Sequence, residues 1–137
     1  MTIELSKQEF RSLLDLVYIG NWVLNSTRSN DRIEEYDQVE SKLFGLCQGT
    51  ALQALVEQHL GVNFPSRAFT QGGIHEAIAY YEDEIFFEIL AEELSRRDMG
   101  YPDLTADNYS ELTERMEKYM QEFDANGIEN LNLEEGL

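Results

Sequence analysis

The chain has 137 residues, of which 42% are hydrophobic and 11% aromatic, and its formal net charge is −17. This length and hydrophobic content are sufficient for one folded domain and exclude intrinsic disorder of the whole chain. The single cysteine, Cys47, excludes an intramolecular disulfide and a cysteine-rich zinc site.

The negative charge is concentrated in the second half of the sequence. Residues 1–68 contain six Lys/Arg and nine Asp/Glu, whereas residues 69–137 contain four and eighteen. Because affinity for nucleic acids and anionic lipids comes largely from Lys and Arg, direct binding to DNA, RNA or membranes is disfavoured. The most apolar segment, residues 13–24, is shorter than the roughly 20 residues of a membrane span. The N-terminus lacks the pattern of a signal peptide, so we expect a cytoplasmic protein.

The first two helices are predicted from capping patterns and apolar spacing. The segment Ser6-Lys-Gln-Glu9 has the spacing of a capping box. Apolar residues then recur on one face as far as Leu24, and the helix is expected to end between residues 25 and 30. A second helix is predicted from Asp31, whose spacing to Glu34 is again cap-like, to the glycines at 45 and 49.

The middle of the chain has weaker signals. A short third helix is predicted after Thr50, with Gly61 at its C-terminal end because glycine tolerates positive φ. Residues 62–73 are predicted to be a connector because they contain one proline and two glycines. Residues 62–64 and 68–70 are short strand candidates, but neither alternates for long enough to predict a strand.

The second half predicts two longer helices. They are expected from Ile74 to Arg97 and from Asn108 to Ala125, each with apolar residues at intervals of three and four. The sequence therefore predicts an all-α fold, a single-domain bundle of four to five helices over residues 1–127. Residues 128–137 are expected to form a partly loose acidic tail.

Carboxylates on the fourth helix are candidates for a metal site. Bundle cores can hold di-metal sites built from Glu and Glu-x-x-His, but neither His59 nor His75 completes that motif. At 100° per residue, His75, Glu82 and Glu93 fall within one narrow arc of the helix. These three residues are the candidate metal ligands. Helical carboxylates are more often simply solvated, so no cofactor is predicted.

Other catalytic and DNA-binding patterns have little support. Cys47 has no flanking basic residue to favour a thiolate and is expected to be an inert core residue. The sequence contains no nucleophile elbow, P-loop or dinucleotide-binding glycine pattern. Residues 37–60 have the lengths of a helix-turn-helix, but its recognition helix, residues 51–60, would contain no Lys or Arg.

Two classes of function remain open. The better supported one is a non-enzymatic protein-interaction module that binds a basic protein partner or a second copy of itself. Aromatic residues interleaved with acids, such as Tyr80 and Phe86, favour it, although each ring could instead fill the core. The alternative is a small carboxylate-dependent metal-binding protein or enzyme with its site on the fourth helix. The acidic half could also mimic nucleic acid or only confer solubility.

The fourth helix suggests a homodimer, because its apolar residues lie on two sides whereas a surface helix of a monomer needs only one apolar stripe. The two sets are Ile78, Ile85 and Ile89, and Phe87, Ala91 and Leu94. A two-fold interface, formed through this helix or the fifth, would pair the same patch with itself. A central position of the helix within the monomer would be another way to cover the second side.

Moderate salt is expected to raise the melting temperature, because dissolved ions screen the repulsion among the carboxylates of the acidic half. Thermal unfolding followed by circular dichroism at low and moderate sodium chloride measures this effect. A constant or lower melting temperature would mean that ion pairs weakened by salt matter more than the net repulsion.

Overall fold

The computed structural model describes residues 1–132, and 64% of them are helical. The chain divides into two compact units, Met1–Ile78 and Ala79–Leu137, which we call the N-terminal unit and the C-terminal unit. The predicted predominance of helix is confirmed, whereas the boundary of a single domain at residue 127 stays a prediction. Among residues 1–132, no helix combines the length and the apolar character that a membrane crossing requires.

Helix α1 spans Lys7–Asn25 and begins as predicted. The hydroxyl of Ser6 accepts a hydrogen bond from the backbone N–H of Glu9 at 3.3 Å. The Glu9 carboxylate in turn accepts from the Ser6 N–H at 2.7 Å, which confirms the capping box. At the other end, Asn25 is 1% exposed although it is polar, because its side chain bonds to other parts of the chain rather than to water.

Helix α2 spans Glu34–Gly45 and starts three residues later than predicted. The Asp31 carboxylate accepts from the Ser29 backbone and from Arg28, so it closes a local turn and does not cap the helix. The segment before α2 is instead held by α1. Asn25 accepts from the backbone N–H of Ile33 at 2.8 Å and donates to its carbonyl at 3.1 Å. A contact distant in sequence therefore sets the start of this helix.

The predicted third helix is wrong. After one turn at residues 53–55, strand β1 (Val56–His59) pairs antiparallel with strand β2 (Val62–Pro65). Leu60 and Gly61 have φ angles of 49° and 78°, the two positive values that a type I′ hairpin loop requires. The fold is therefore not purely α-helical. The candidate strand at residues 62–64 is real, and residues 51–60 contain no recognition helix.

Contacts with α2 explain why a hairpin replaces the expected helix. The backbone N–H of Asn63 donates to the Ser41 hydroxyl at 3.0 Å, and the side chain of Gln48, just beyond α2, donates to the side-chain amide oxygen of Asn63 at 2.6 Å. A Cβ atom added to Gly45 would lie 2.6 Å from the Asn63 amide nitrogen, so glycine permits this close approach. Tertiary contacts of this kind override weak local propensity.

A single helical turn, α3 (Arg67–Phe69), follows the hairpin, so the strand candidate at residues 68–70 is wrong. Ser66 caps this turn by accepting from the Phe69 N–H at 3.2 Å. The next five residues, Thr70–Ile74, form a wide turn in which Gly73 has a φ of 106°. The predicted connector at residues 62–73 therefore contains ordered structure.

The core of the N-terminal unit is formed by five buried residues: Leu14, Phe44, Cys47, Phe69 and Ile74. The rings of Phe44 and Phe69 meet edge to face with centroids 4.9 Å apart. The predicted burial of Cys47 is confirmed, and this burial raises the pKa of its thiol. A raised pKa disfavours the reactive thiolate.

Helix α4 spans His75–Asp98 and helix α5 spans Tyr109–Asn126, each within one residue of its predicted bounds. In the C-terminal unit, Ala91 and Leu94 of α4 are buried against Phe123 of α5. The ring of Phe87 lies 5.4 Å from that of Phe123. At the end of α4, the Tyr119 hydroxyl donates to Asp98 at 2.5 Å.

The first residues of the predicted acidic tail continue from α5 in an ordered turn. Gly127 ends the helix with a φ of 57°. The Leu131 N–H then donates to the Ile128 carbonyl at 3.0 Å, and Asn130 donates to Glu122 at 2.6 Å. The remainder of the predicted tail, residues 133–137, lies outside the described residues.

Replacing Ser95 by alanine is expected to raise the free energy of unfolding by about 1 kcal/mol, because a buried hydroxyl without a partner costs about 1–3 kcal/mol. Ser95 is fully buried, and within residues 1–132 its Oγ is the one buried side-chain polar atom without a hydrogen-bond partner. Urea unfolding measures the change. Ser12→Ala, at an exposed position of α1, controls for the higher helix propensity of alanine. If Ser95→Ala raised the free energy of unfolding no more than Ser12→Ala does, the expectation would be contradicted.

Candidate functional site

The first predicted metal ligand, His75, is engaged by aromatic residues of the N-terminal unit. Its Nε2 atom shares a hydrogen bond of 2.7 Å with the Tyr18 hydroxyl. Its ring also lies nearly perpendicular to the ring of Trp22, with centroids 4.8 Å apart. Both contacts fix the imidazole against α1.

The other two predicted ligands, Glu82 and Glu93, are exposed on α4 in the C-terminal unit. They are eleven residues apart, which corresponds to about 16 Å along a helix. Ligand atoms of one ion lie within about 2.6 Å of it, so these two carboxylates cannot share an ion within one chain. Among residues 1–132, no group of three or more His, Cys, Asp or Glu side chains is placed to hold a metal. The metal hypothesis stays a prediction without a described site.

The described part of the C-terminal unit has a large excess of carboxylates. Residues 79–132 contain fifteen Asp/Glu and four Lys/Arg, so at least eleven carboxylates have no basic partner of their own within this segment. Arg96, Arg97 and Arg115 form ion pairs with neighbouring acids of their own helix. These pairs are local and exposed, and pairs of this kind contribute little to stability. The surface field of this unit is therefore negative.

Helix α4 has a second apolar face that remains exposed. Phe86 and Ile89 are 51% and 54% exposed, whereas Phe87 on the other side packs against Phe123. At 100° per residue, Phe86 and Ile89 lie within about 60° of Glu82 and Glu93. We call these four residues the outer face of α4. The arc of α4 that contains the predicted metal ligands Glu82 and Glu93 thus also contains an apolar pair, with one carboxylate on either side of that pair along the helix.

A buried polar network joins α1 to the start of α2. The side chain of Asn25 donates to the side-chain amide oxygen of Asn21 at 2.8 Å, and the side chain of Asn21 donates to the Asp37 carboxylate at 2.9 Å. Arg32 binds both oxygens of Asp37, at 2.7 Å and 2.9 Å, and these bonds hold the pKa of that carboxyl below its ordinary value. Two asparagines that are 7% exposed or less thereby have partners for their polar groups.

A pocket of about 300 Å³ adjoins this network in the N-terminal unit. We call it the polar pocket, and the residues that line it are Tyr18, Asn21, Trp22, Ser26, Arg32 and Glu40. Glu40 supplies the carboxyl group of the pocket lining. Burial raises its pKa from 4.5 to about 7 and the negative Asp37 adds to this, whereas Asn21 and Arg32 oppose it. A carboxyl group that titrates near neutral pH is a common feature of functional sites.

The sequence contained only an indirect signal for this pocket. Asn21 interrupts the apolar face of the first helix, and Asn25 follows it by one turn, so buried asparagines required polar partners. Nothing in the sequence distinguishes Glu40 from other glutamates, because a glutamate in a charged helical segment is normally solvated. Only the contact between α1 and α2 makes it a half-buried acid.

Comparisons of the chain with protein-family models, with curated proteins and with solved structures found no match.

Replacing Glu40 by glutamine is expected to stabilise the protein at about pH 8 by about 2 kcal/mol, which allows for the partial hydration of this side chain. The raised pKa means that the protonated form stabilises the fold below about pH 4.5 and that this contribution is lost as the pH rises through about 7. Glutamine is neutral throughout, so the difference from the wild type should be near zero at about pH 4.5.

Urea unfolding of both proteins at the two pH values measures this difference. Glu35→Gln, at an exposed position of the same helix, is the matched control and should give no gain at high pH. An equal effect of Glu40→Gln at both pH values would show that its carboxyl group titrates normally.

Proposed function

We propose that this chain is a non-enzymatic protein-interaction module whose C-terminal unit binds a basic partner protein. The observation that carries the proposal is the outer face of α4, where Phe86 and Ile89 remain half exposed between Glu82 and Glu93. Large apolar side chains supply much of the binding energy of protein interfaces, and charged groups around them steer the partner. The outer face combines both elements.

The charge of the unit favours a basic partner over a second copy of the chain. Two copies that met through this face would each bring an excess of eleven carboxylates over basic residues in residues 79–132, and these would repel. A partner rich in Lys and Arg would neutralise the same carboxylates. The homodimer expected from the fourth helix is therefore the second candidate occupant. A nucleic-acid-binding protein, with the carboxylates in place of phosphates, is one kind of partner with the required charge.

The metal-binding or enzymatic alternative has less support. It places its site on α4, where Glu82 and Glu93 are about 16 Å apart along the helix, too far to share one ion. We also propose that the interaction takes place in the cytoplasm, which fits a chain whose one cysteine is free and buried.

A synthetic amphipathic helix made of leucine and lysine is the probe for this surface. The wild-type protein should bind it, and replacement of both Phe86 and Ile89 by serine should weaken binding at least about tenfold because the apolar contact is lost. Leu16→Ser is the matched control, since Leu16 is a 70% exposed apolar residue on α1. Fluorescence anisotropy of a labelled peptide measures the affinity.

Equal weakening by Leu16→Ser, or none by the double variant, would contradict a specific role of the outer face. Binding should also weaken steeply as salt is raised, because the lysines of the peptide face carboxylates. Light scattering after size exclusion tests whether a second copy of the chain occupies the outer face instead. A dimer of the wild type that the double variant converts to a folded monomer would assign the outer face to self-association instead.

A further inference from the structure

The polar pocket has two aromatic walls. Tyr18 and Trp22 are one turn apart on α1, and their ring centroids lie 6.2 Å apart at an interplanar angle of 30°. His75 and Phe69 pack edge-on against Tyr18, at 5.6 Å and 5.2 Å, and His75 also packs against Trp22. The two rings are thereby held in position before any ligand arrives, which reduces the entropic cost of binding.

The charged groups of the pocket leave one carboxyl group uncompensated. Arg32 is already neutralised by its two bonds to Asp37, and it also donates to the Asn25 carbonyl at 3.3 Å. Its hydrogen-bonding capacity is therefore largely used, so it is poorly placed to bind an anionic ligand. Glu40, in contrast, lines the pocket without an ion pair among the described residues.

We propose that the polar pocket is a binding site for a small organic cation whose ammonium group lies against Tyr18 and Trp22 and faces Glu40. Aromatic rings attract ammonium groups through their negative faces, and a carboxylate supplies the opposite charge. The volume of about 300 Å³ lies at the lower end of the range for small-molecule pockets, so it fits a compact amine and not a large cofactor. This site is independent of the outer face of α4.

Binding of such a cation is coupled to a proton. Besides burial, the groups that shift the pKa of Glu40 are Asn21, Asp37 and Arg32. The neighbouring Tyr18 has its own pKa raised by burial and by the charge of Glu40, and its hydroxyl bonds to His75. With a pKa of about 7, the Glu40 carboxyl is largely protonated at about pH 6 and largely ionised at about pH 8. A bound cation favours the ionised form, so affinity should rise roughly tenfold between these pH values. Binding at intermediate pH should release a proton.

The fluorescence of Trp22 reports on the pocket directly, because it is the only tryptophan of the chain. The probes are choline, ethanolamine and 3,3-dimethyl-1-butanol, the uncharged carbon analogue of choline. We expect choline or ethanolamine to give a saturable change in fluorescence and the alcohol to give none. Tighter binding of choline would mean that the aromatic walls dominate, whereas tighter binding of ethanolamine would mean that the carboxylate dominates.

Glu40→Gln should weaken cation binding at about pH 8 at least about fivefold and remove its pH dependence, because glutamine cannot ionise. Glu35→Gln, at an exposed position of α2, should leave the affinity for the cation and its pH dependence unchanged. The proposal is overturned if 3,3-dimethyl-1-butanol binds as well as choline, or if neither choline nor ethanolamine gives a saturable signal at millimolar concentration. The pH dependence of the wild type tests the role of Glu40 even if the variant folds poorly: affinity that is equal at both pH values also overturns it.

Discussion

Helix α4 carries apolar side chains on two sides, and this constraint determines what the C-terminal unit can be. One side, with Phe87, packs against Phe123 of α5. The other side keeps Phe86 and Ile89 half exposed, and the carboxylates on either side along the helix require water or a cationic partner. The outer face of α4 is apolar but lies among carboxylates, so a basic protein is well suited to cover it. The proposed function rests on this surface.

The N-terminal unit depends on a different constraint, the burial of two asparagines on α1. Asn25 holds the backbone of Ile33 and bonds to Asn21, which in turn bonds to Asp37. This chain of bonds brings the first two turns of α2 against α1. Glu40 is half-buried as a consequence, and its raised pKa follows from a structural contact rather than from its sequence neighbours.

The longer helices were predictable because their apolar spacing and caps are local, as the capping box of Ser6 and Glu9 illustrates. The hairpin was not, because it depends on contacts between Asn63 and α2 and on a loop in which Leu60 adopts positive φ. Leucine rarely adopts that conformation, so no local pattern predicts a turn at this position. The sequence shows that Glu82 and Glu93 share one face of the fourth helix. They are nevertheless far apart along the helix axis, so a shared face does not make them ligands of one ion. The polar pocket forms only where α1 and α2 meet, so no local sequence pattern predicts it.

Hydroxyl-radical footprinting of the free protein tests the central claim, the exposure of the outer face of α4, most directly. At low protein concentration, Phe86 should be oxidised at about half its rate in the urea-unfolded chain because it is 51% exposed, whereas Phe123, at 6%, should be strongly protected. Mass spectrometry after proteolysis resolves the two positions. Protection of Phe86 equal to that of Phe123 would mean that the outer face is already covered and would contradict the account.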